Sequence, residues 1–164
     1  EERWPDAQRE FERTLAVAPG FRPAERGLAR AMFEQGRFAD AEPLLEALRA
    51  ASALDAEGWF ALGLIAQRRG DAAALAHYEQ AVRFDPRHVR ARYNLGVVHH
   101  RAGRLALALD QYETLARAAD VAPEVLDNLA RVHWARGEMP RARAARARLR
   151  RTHPNYGGLR TLDF

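Results

Sequence analysis

The chain has 164 residues, 48% of them hydrophobic and 29% charged, with a net charge of +4 and no cysteine. Those proportions fit a soluble globular or solenoid protein rather than a disordered one, and the missing thiols exclude disulfides, zinc–thiolate sites and iron–sulfur clusters. No apolar run reaches the roughly 20 residues a bilayer-spanning helix needs, and no secretory signal is visible. The chain is expected in the cytoplasm or periplasm, and its opening on Glu1 rather than Met is expected of a processed or excised piece. Every cationic side chain of the Lys/Arg class is arginine, as in proteins of GC-rich genomes. The charge is uneven: residues 1–55 carry −3, residues 56–122 carry +2 and residues 123–164 carry +5.

The dominant feature is a repeat. Gly36, Gly70, Gly103 and Gly137 recur at steps of 34, 33 and 34, and Leu28, Leu62, Leu95 and Leu129 keep the same steps. A small residue follows each leucine (Ala29, Gly63, Gly96, Ala130), and another follows each glycine turn (Ala41, Ala74, Ala108, Ala142), with Ala7 one step upstream. Pro19, Pro86 and Pro154 share a further ladder with Ala53 and Asp120.

In chain order, residues 1–21 predict a lone helix whose Phe11 and Leu15 need a packing surface, part of it on the next repeat. Residues 22–55, 56–88, 89–122 and 123–156 each predict a helix pair. Apolar residues at three- and four-residue steps, such as Leu62, Ile65 and Ala66, form the inner stripe of the first helix. Glycine stops it, because a left-handed C-terminal cap suits a residue without a side chain. So short a connection makes the second helix antiparallel, and small residues at the crossing let the backbones approach. Proline then ends the second helix. The residue missing after Gly70 explains the 33-residue step and belongs in a turn. In the last second helix, residues 139–151, Ala142, Ala145 and Leu149 are expected to face inward, with Arg141, Arg143, Arg148 and Arg151 toward water. Arg146 there reads as part of a cap. Residues 157–164 break the pattern; Leu159, Leu162 and Phe164 are expected to fold back on the last pair or to enter a groove on a second molecule.

Trp59-Phe60-Ala61-Leu62-Gly63, most of the same pattern in Tyr93-Asn94-Leu95-Gly96, and aromatic Phe11, Tyr78 and Tyr112 in the second helices resemble the tetratricopeptide repeat family. Leu45 and Arg146 replace the aromatic. The resemblance spans residues 1–156 and implies an all-α, right-handed superhelical solenoid of antiparallel helix pairs. It also implies a non-catalytic scaffold that binds a protein or peptide in a concave groove lined by the first helices. Helical spacing places Arg26, Arg30 and Phe33 on that face, then Phe60, Leu64 and Gln67, then Arg90, Tyr93, Asn94, Val97, His100 and Arg101, and last Asp127, Asn128, Arg131 and Trp134. Aromatics and arginines are the residue types that dominate binding surfaces. Asn94 and Asn128 share a slot from which an amide can bond a peptide backbone. Arg26, Arg30, Arg90 and Asn94 partly match a basic clamp for a terminal carboxylate, but Ala61 and Leu64 occupy slots where that clamp needs polar groups.

No catalytic or cofactor motif is present, so neither an enzyme nor a cofactor is expected. His99 and His133, at equivalent positions, read as packing residues rather than metal ligands, and adjacent His99 and His100 point in different directions on a helix. The alternative is an anionic partner, nucleic acid or an acidic protein, on the helix carrying Arg141, Arg143, Arg146, Arg148, Arg150 and Arg151; that helix lacks aromatics for base stacking. The chain also suits a targeting module of a larger enzyme, and the lone first helix and apolar tail offer routes to self-association.

The cap argument requires a positive φ at Gly103. Gly103→Val should therefore lower stability by about 1–2 kcal/mol in chemical denaturation, the cost of a β-carbon in the left-handed region.

Overall fold

A computed structural model describes residues 3–160, with side chains described up to Gly158. The described residues form α-helices and one short 3-10 turn, with no strand. The chain divides between His88 and Val89 into two compact units. The first holds α1 (Trp4–Val17), α2 (Arg22–Glu34), α3 (Phe38–Ala50), α4 (Ala56–Arg68) and α5 (Ala73–Phe84). The second holds α6 (Val89–Arg101), α7 (Leu105–Ala116), α8 (Pro123–Ala135) and α9 (Met139–Thr152), then the 3-10 turn Gly157–Arg160.

Each first helix ends in the same way. Gly36, Gly70, Gly103 and Gly137 have φ of +76°, +72°, +70° and +76°. The amide after each glycine reaches back to the helix: Arg37 N–H to the Met32 carbonyl at 3.0 Å, and Asp71 to Ala66, Arg104 to His99 and Glu138 to His133, each at 2.9 Å. This motif satisfies carbonyls the helix end would leave unpaired and turns the chain back within a few residues. The turn after Gly70 holds one residue fewer before the conserved spacing to Ala74 resumes. There the Asp71 carboxylate accepts the Ala73 N–H at 2.8 Å, a local Asp turn that leads into α5. Ser52, at φ +52°, plays the glycine role after α3, with Ala53 N–H bonded to the Leu48 carbonyl at 2.8 Å.

Helix crossing explains the small-residue ladder. A β-carbon on Gly63 would lie 2.6 Å from the Tyr78 ring, and one on Gly96 would lie 2.6 Å from the Tyr112 ring. Both rings are fully buried. Where the second helix carries Leu45 or Arg146 instead of tyrosine, the facing slot holds Ala29 or Ala130, both also buried. Glycine thus accompanies the larger side chain and alanine the other two.

In the first unit the core continues as a run of ring contacts. Phe33 meets Phe38 at 5.4 Å and Phe60 at 6.0 Å between centroids; Phe60 in turn meets Tyr78 at 6.0 Å and His88 at 5.2 Å. The lone helix α1 packs on α2 by laying Phe11 over Gly27, where a β-carbon would come within 2.4 Å of the ring. Gln8 adds a polar tie, accepting from Gln35 at 2.8 Å and from Arg37 at 3.0 Å.

In the second unit Leu109, Tyr112, Val121, Val125, Leu126, Leu129 and Leu149 form a continuous core. Buried His99 and His133 lie in first helices, and His133 Nδ1 is 2.7 Å from the Glu138 carboxylate. After α9 the chain is held by His153 Nε2, 2.9 Å from the Val121 carbonyl. Among the residues with described side chains, the one that folds back from the segment after Pro154 is Tyr156, which packs on this core. The side chain of Leu159 is not described, and Leu162 and Phe164 lie outside the described residues.

The glycine–tyrosine pairing is testable by a double-mutant cycle. Gly96→Ala should cost about 1–3 kcal/mol from overpacking, despite the better helix propensity of alanine. In a Tyr112→Leu background, which reproduces the Ala29 and Leu45 pair, the same change should cost little or stabilise. Additive effects in denaturant titrations would show that the two positions do not constrain each other.

Candidate functional site

The second unit brings two strips of predicted residues together. On α6, Tyr93, Asn94, Val97, His100 and Arg101 follow steps of one, three, three and one, so they share a face. On α8, Asp127, Asn128, Arg131 and Trp134 do the same. The strips touch: Asn128 Nδ2 donates to the Tyr93 hydroxyl at 3.1 Å. Tyr93 and Val97 are half-buried against the core, while Arg90 and Arg101 are exposed. Trp134 keeps 44% of its surface exposed, high for so large an apolar side chain.

Electrostatics divide this face. Asp127 is buried; its Oδ2 accepts from Arg131 Nε at 3.0 Å, and its Oδ1 has no hydrogen-bond partner. Burial, and then the Arg131 charge, lower the pKa of His100, so it is neutral at neutral pH. Burial raises the pKa of Tyr93, against the hydrogen bond from Asn128. The neutral groups of Tyr93, Asn94, His100 and Asn128 therefore share this face with Arg90, Arg101 and Arg131. Asn94 is half-buried, and its amide makes no hydrogen bond among the described residues; Asn128 uses only its Nδ2. An amide open to solvent and without a protein partner can bond an incoming group.

Tyr156 borders the same face. It packs on the same core as Tyr93 and Val97, and burial raises its pKa, helped by the charges of Asp127 and Glu124. Sequence reasoning missed it because it follows Pro154, where periodicity stops. Its aromatic character was the one available signal.

In the first unit two predicted residues sit deeper than helical spacing places them. Phe33 and Phe60 are 4% and 2% exposed and belong to the ring-contact run of the core, with Phe33 also bordering a cavity. Helical spacing put them on the first-helix face, but Phe33 packs against Phe38 and Phe60, and Phe60 against Tyr78 and His88. Leu64 and Gln67 are half-buried, and Gln67 Oε1 is a buried acceptor without a partner. Arg26 turns toward the loop after α3, donating to the Ala53 carbonyl at 3.2 Å and lying 3.6 Å from the Asp55 carboxylate. Arg30 is exposed and stands over the Trp4 ring at 5.4 Å. Between α2, α3 and α4 lies a cavity of about 190 Å³ bordered by Arg26, Arg30, Phe33, Leu45, Leu54 and Ala61. Leu54 and its neighbours Asp55 and Glu57 were not among the predicted site residues, because they precede the periodic stripe of α4.

Among the described residues, no group of three or more His, Asp or Glu is placed to hold a metal ion, and no helix is long and apolar enough to cross a membrane.

Family comparison joins these observations. Tetratricopeptide repeat models match residues 1–67, 72–123 and 123–151. The chain belongs to the tetratricopeptide repeat family. No curated protein matches it significantly in sequence. Among solved structures it resembles MamA, with a TM-score of 0.75 at 18% identity, covering 92% of this chain and 89% of that one. It also resembles PilF of Pseudomonas aeruginosa, with a TM-score of 0.79 at 16% identity over 93% and 70% of the two chains. A third is YrrB, described as a TPR protein with an unusual peptide-binding site, with a TM-score of 0.76 at 15% identity over 96% and 82%. At such identities the likeness is one of fold. Tetratricopeptide repeats are scaffolds for protein–protein interaction, typically without catalysis.

Within this repeat array the arginine-rich last helix is partly structural: Arg141, Arg143 and Arg151 are exposed, as expected, but Arg148, also expected to face water, is half-buried. Arg146 is 6% exposed and fills the slot that holds tyrosine in other repeats. Arg148 donates to the carbonyls of Ala116 at 2.6 Å and Ala118 at 3.0 Å, closing the C-terminal end of α7. Arg141 lies 3.5 Å from the Glu138 carboxylate. Exposed Arg143, Arg150 and Arg151 have no ion-pair partner among the described residues.

This division predicts different costs. Arg148→Ala should lose about 1–2 kcal/mol in chemical denaturation, because two carbonyls lose a charged donor. Arg143→Ala, Arg150→Ala and Arg151→Ala should each stay within about 0.5 kcal/mol of the parent.

Proposed function

We propose that this tetratricopeptide repeat protein recruits a partner by binding an extended peptide segment on its first-helix faces, with the α6 and α8 strips making the backbone contacts. The observation that carries this reading is the pair of incompletely bonded amides, Asn94 and Asn128, between Tyr93, Val97, His100 and Trp134. An amide offers both a donor and an acceptor, matching the N–H and C=O groups of an extended chain. Aromatic and arginine neighbours supply area and carboxylate pairing. Burial keeps His100 neutral, so the face does not repel cationic peptides through that side chain. The peptide-binding description of YrrB, a protein of similar fold, supports the same reading.

The test uses peptides displayed on phage, selected on the immobilised protein and remeasured as synthetic peptides by calorimetry. Peptides bound by the parent should bind at least tenfold more weakly to Arg90→Ala/Asn94→Ala/Asn128→Ala, a loss of about 1.4 kcal/mol or more. The variant's folding is checked by circular dichroism. Unchanged affinity would move the site away from this face. A preference for polyacidic sequences that fades with salt would point instead to Arg143, Arg150 and Arg151.

A further inference from the structure

The four repeats carry Arg26, Phe60, Tyr93 and Asp127 in one equivalent slot of the first helix. In the second repeat the Phe60 ring fills the space beside Tyr78 and His88, at 6.0 Å and 5.2 Å. In the third the Tyr93 ring takes the corresponding place beside Tyr112, at 6.2 Å. The first repeat has Leu45 where the second has Tyr78, and Asp55 where it has His88. Its slot residue, Arg26, reaches away to Ala53 and Asp55. What remains between Leu45, Leu54, Phe33 and Ala61 is the cavity of about 190 Å³. The first repeat therefore keeps open the place that a ring occupies in the next two.

Size and charge indicate what fits. An apolar cavity of about 150 Å³ accommodates benzene, so one aromatic side chain matches this space. The rim carries opposite signs on its two sides. On the α4 side, Asp55 faces Arg26, and Glu57 lies 3.4 Å from His88. On the α2 side, exposed Arg30 stands over Trp4 and has no carboxylate partner among the described residues. Of the two rim cations, Arg26 faces Asp55, and Arg30 on α2 is the one without a carboxylate partner among the described residues.

We propose that this cavity is an anchor pocket for an internal aromatic residue of a peptide, with an Asp or Glu next to it in sequence pairing with Arg30. The proposal rests on the peptide-binding reading above and gives the first unit a sequence preference of its own. The ring completes the aromatic slot of the first repeat, and the acidic neighbour reaches the α2 rim. A free terminal carboxylate held over the ring would instead lie against Asp55 and Glu57.

The test is a titration of the isotope-labelled chain with blocked dipeptides, followed by amide resonances. Acetyl-Phe-Glu-amide should shift the amides of Arg26, Leu54 and Ala61 with a dissociation constant on the order of 1 mM, as expected for so small a ligand. Acetyl-Phe-Gln-amide should bind about two- to fivefold more weakly, the worth of an exposed ion pair, and acetyl-Ala-Glu-amide should give no saturable shift. Arg30→Ala should erase the difference between the first two. Arg26→Phe, which places a ring in the slot as Phe60 and Tyr93 do, should abolish binding, whereas Arg26→Ala should retain it. Ala61→Leu offers a second way of filling the cavity should Arg26→Phe not fold.

Equal binding by the filled and parent chains would overturn the pocket. So would shifts confined to residues outside it, or none with acetyl-Phe-Glu-amide. Phage-selected peptides that still depend on Asn94 and Asn128 in that case would leave the peptide-binding reading standing without the pocket. Saturable dipeptide binding at the pocket, with no selected peptide sensitive to those asparagines, would do the reverse.

Discussion

The close approach of a tyrosine ring to a glycine backbone sets the geometry of the central repeats. At Gly63 and Gly96 even a β-carbon would lie 2.6 Å from the facing ring, inside any permissible contact. The rings are large enough that burying them contributes substantially to stability, on the order of 2 kcal/mol each. The hydroxyls of Tyr78 and Tyr112 are buried without hydrogen-bond partners, and burial lifts their pKa well above the ordinary tyrosine value. Leaving a hydroxyl so placed opposes stability by about 1–3 kcal/mol, so the ring's fit in the crossing has to offset that cost. Because one side of each first helix is committed to this contact, the strip carrying Tyr93, Asn94 and Val97 on α6 is left to do something else.

Most of the fold was legible because its causes are local. A glycine at φ near +70° ends the first helix of each pair, and a small residue stands where the two helices cross closely. These demands recur with the repeat, so the sequence records them as ladders. The exposure of the first-helix strips was less legible. Phe33 and Phe60 sit at positions equivalent to His100 and Tyr93, yet the phenylalanines are buried while the other two are half-exposed. A slot's exposure depends on the side chains its neighbours contribute, and those change from repeat to repeat. Tyr156 was illegible for another reason: after Pro154 no periodicity remains to predict a direction.

Charge shows the same limit. The surplus of +5 in residues 123–164 suggested a basic surface. Much of it is turned inward or matched. Arg146 is buried, Arg148 serves two carbonyls, and Arg136 and Arg141 attend Glu138. Hydrogen bonds from Arg136 and then His133 hold the Glu138 carboxyl down to about 2. That carboxylate remains ionised in mildly acidic solution and keeps the turn between α8 and α9 tied. Formal charge counts residues, whereas the field a partner meets depends on which guanidinium groups still lack a partner.

The two units therefore offer different chemistry on one repeated framework. In the second, asparagines at equivalent positions leave amide groups open beside Tyr93 and His100. In the first, the residues at those positions are Gly27 and Ala61, which cannot bond a peptide backbone through their side chains. There the departure of Arg26 toward Asp55 leaves a hollow large enough for a ring. One set of substitutions creates hydrogen-bonding capacity and the other creates volume. Neither touches the crossing of first and second helices, where Gly63 and Gly96 face their tyrosines. Recognition can diversify in such a repeat because the slots that face outward are physically separate from the contacts that hold each pair together.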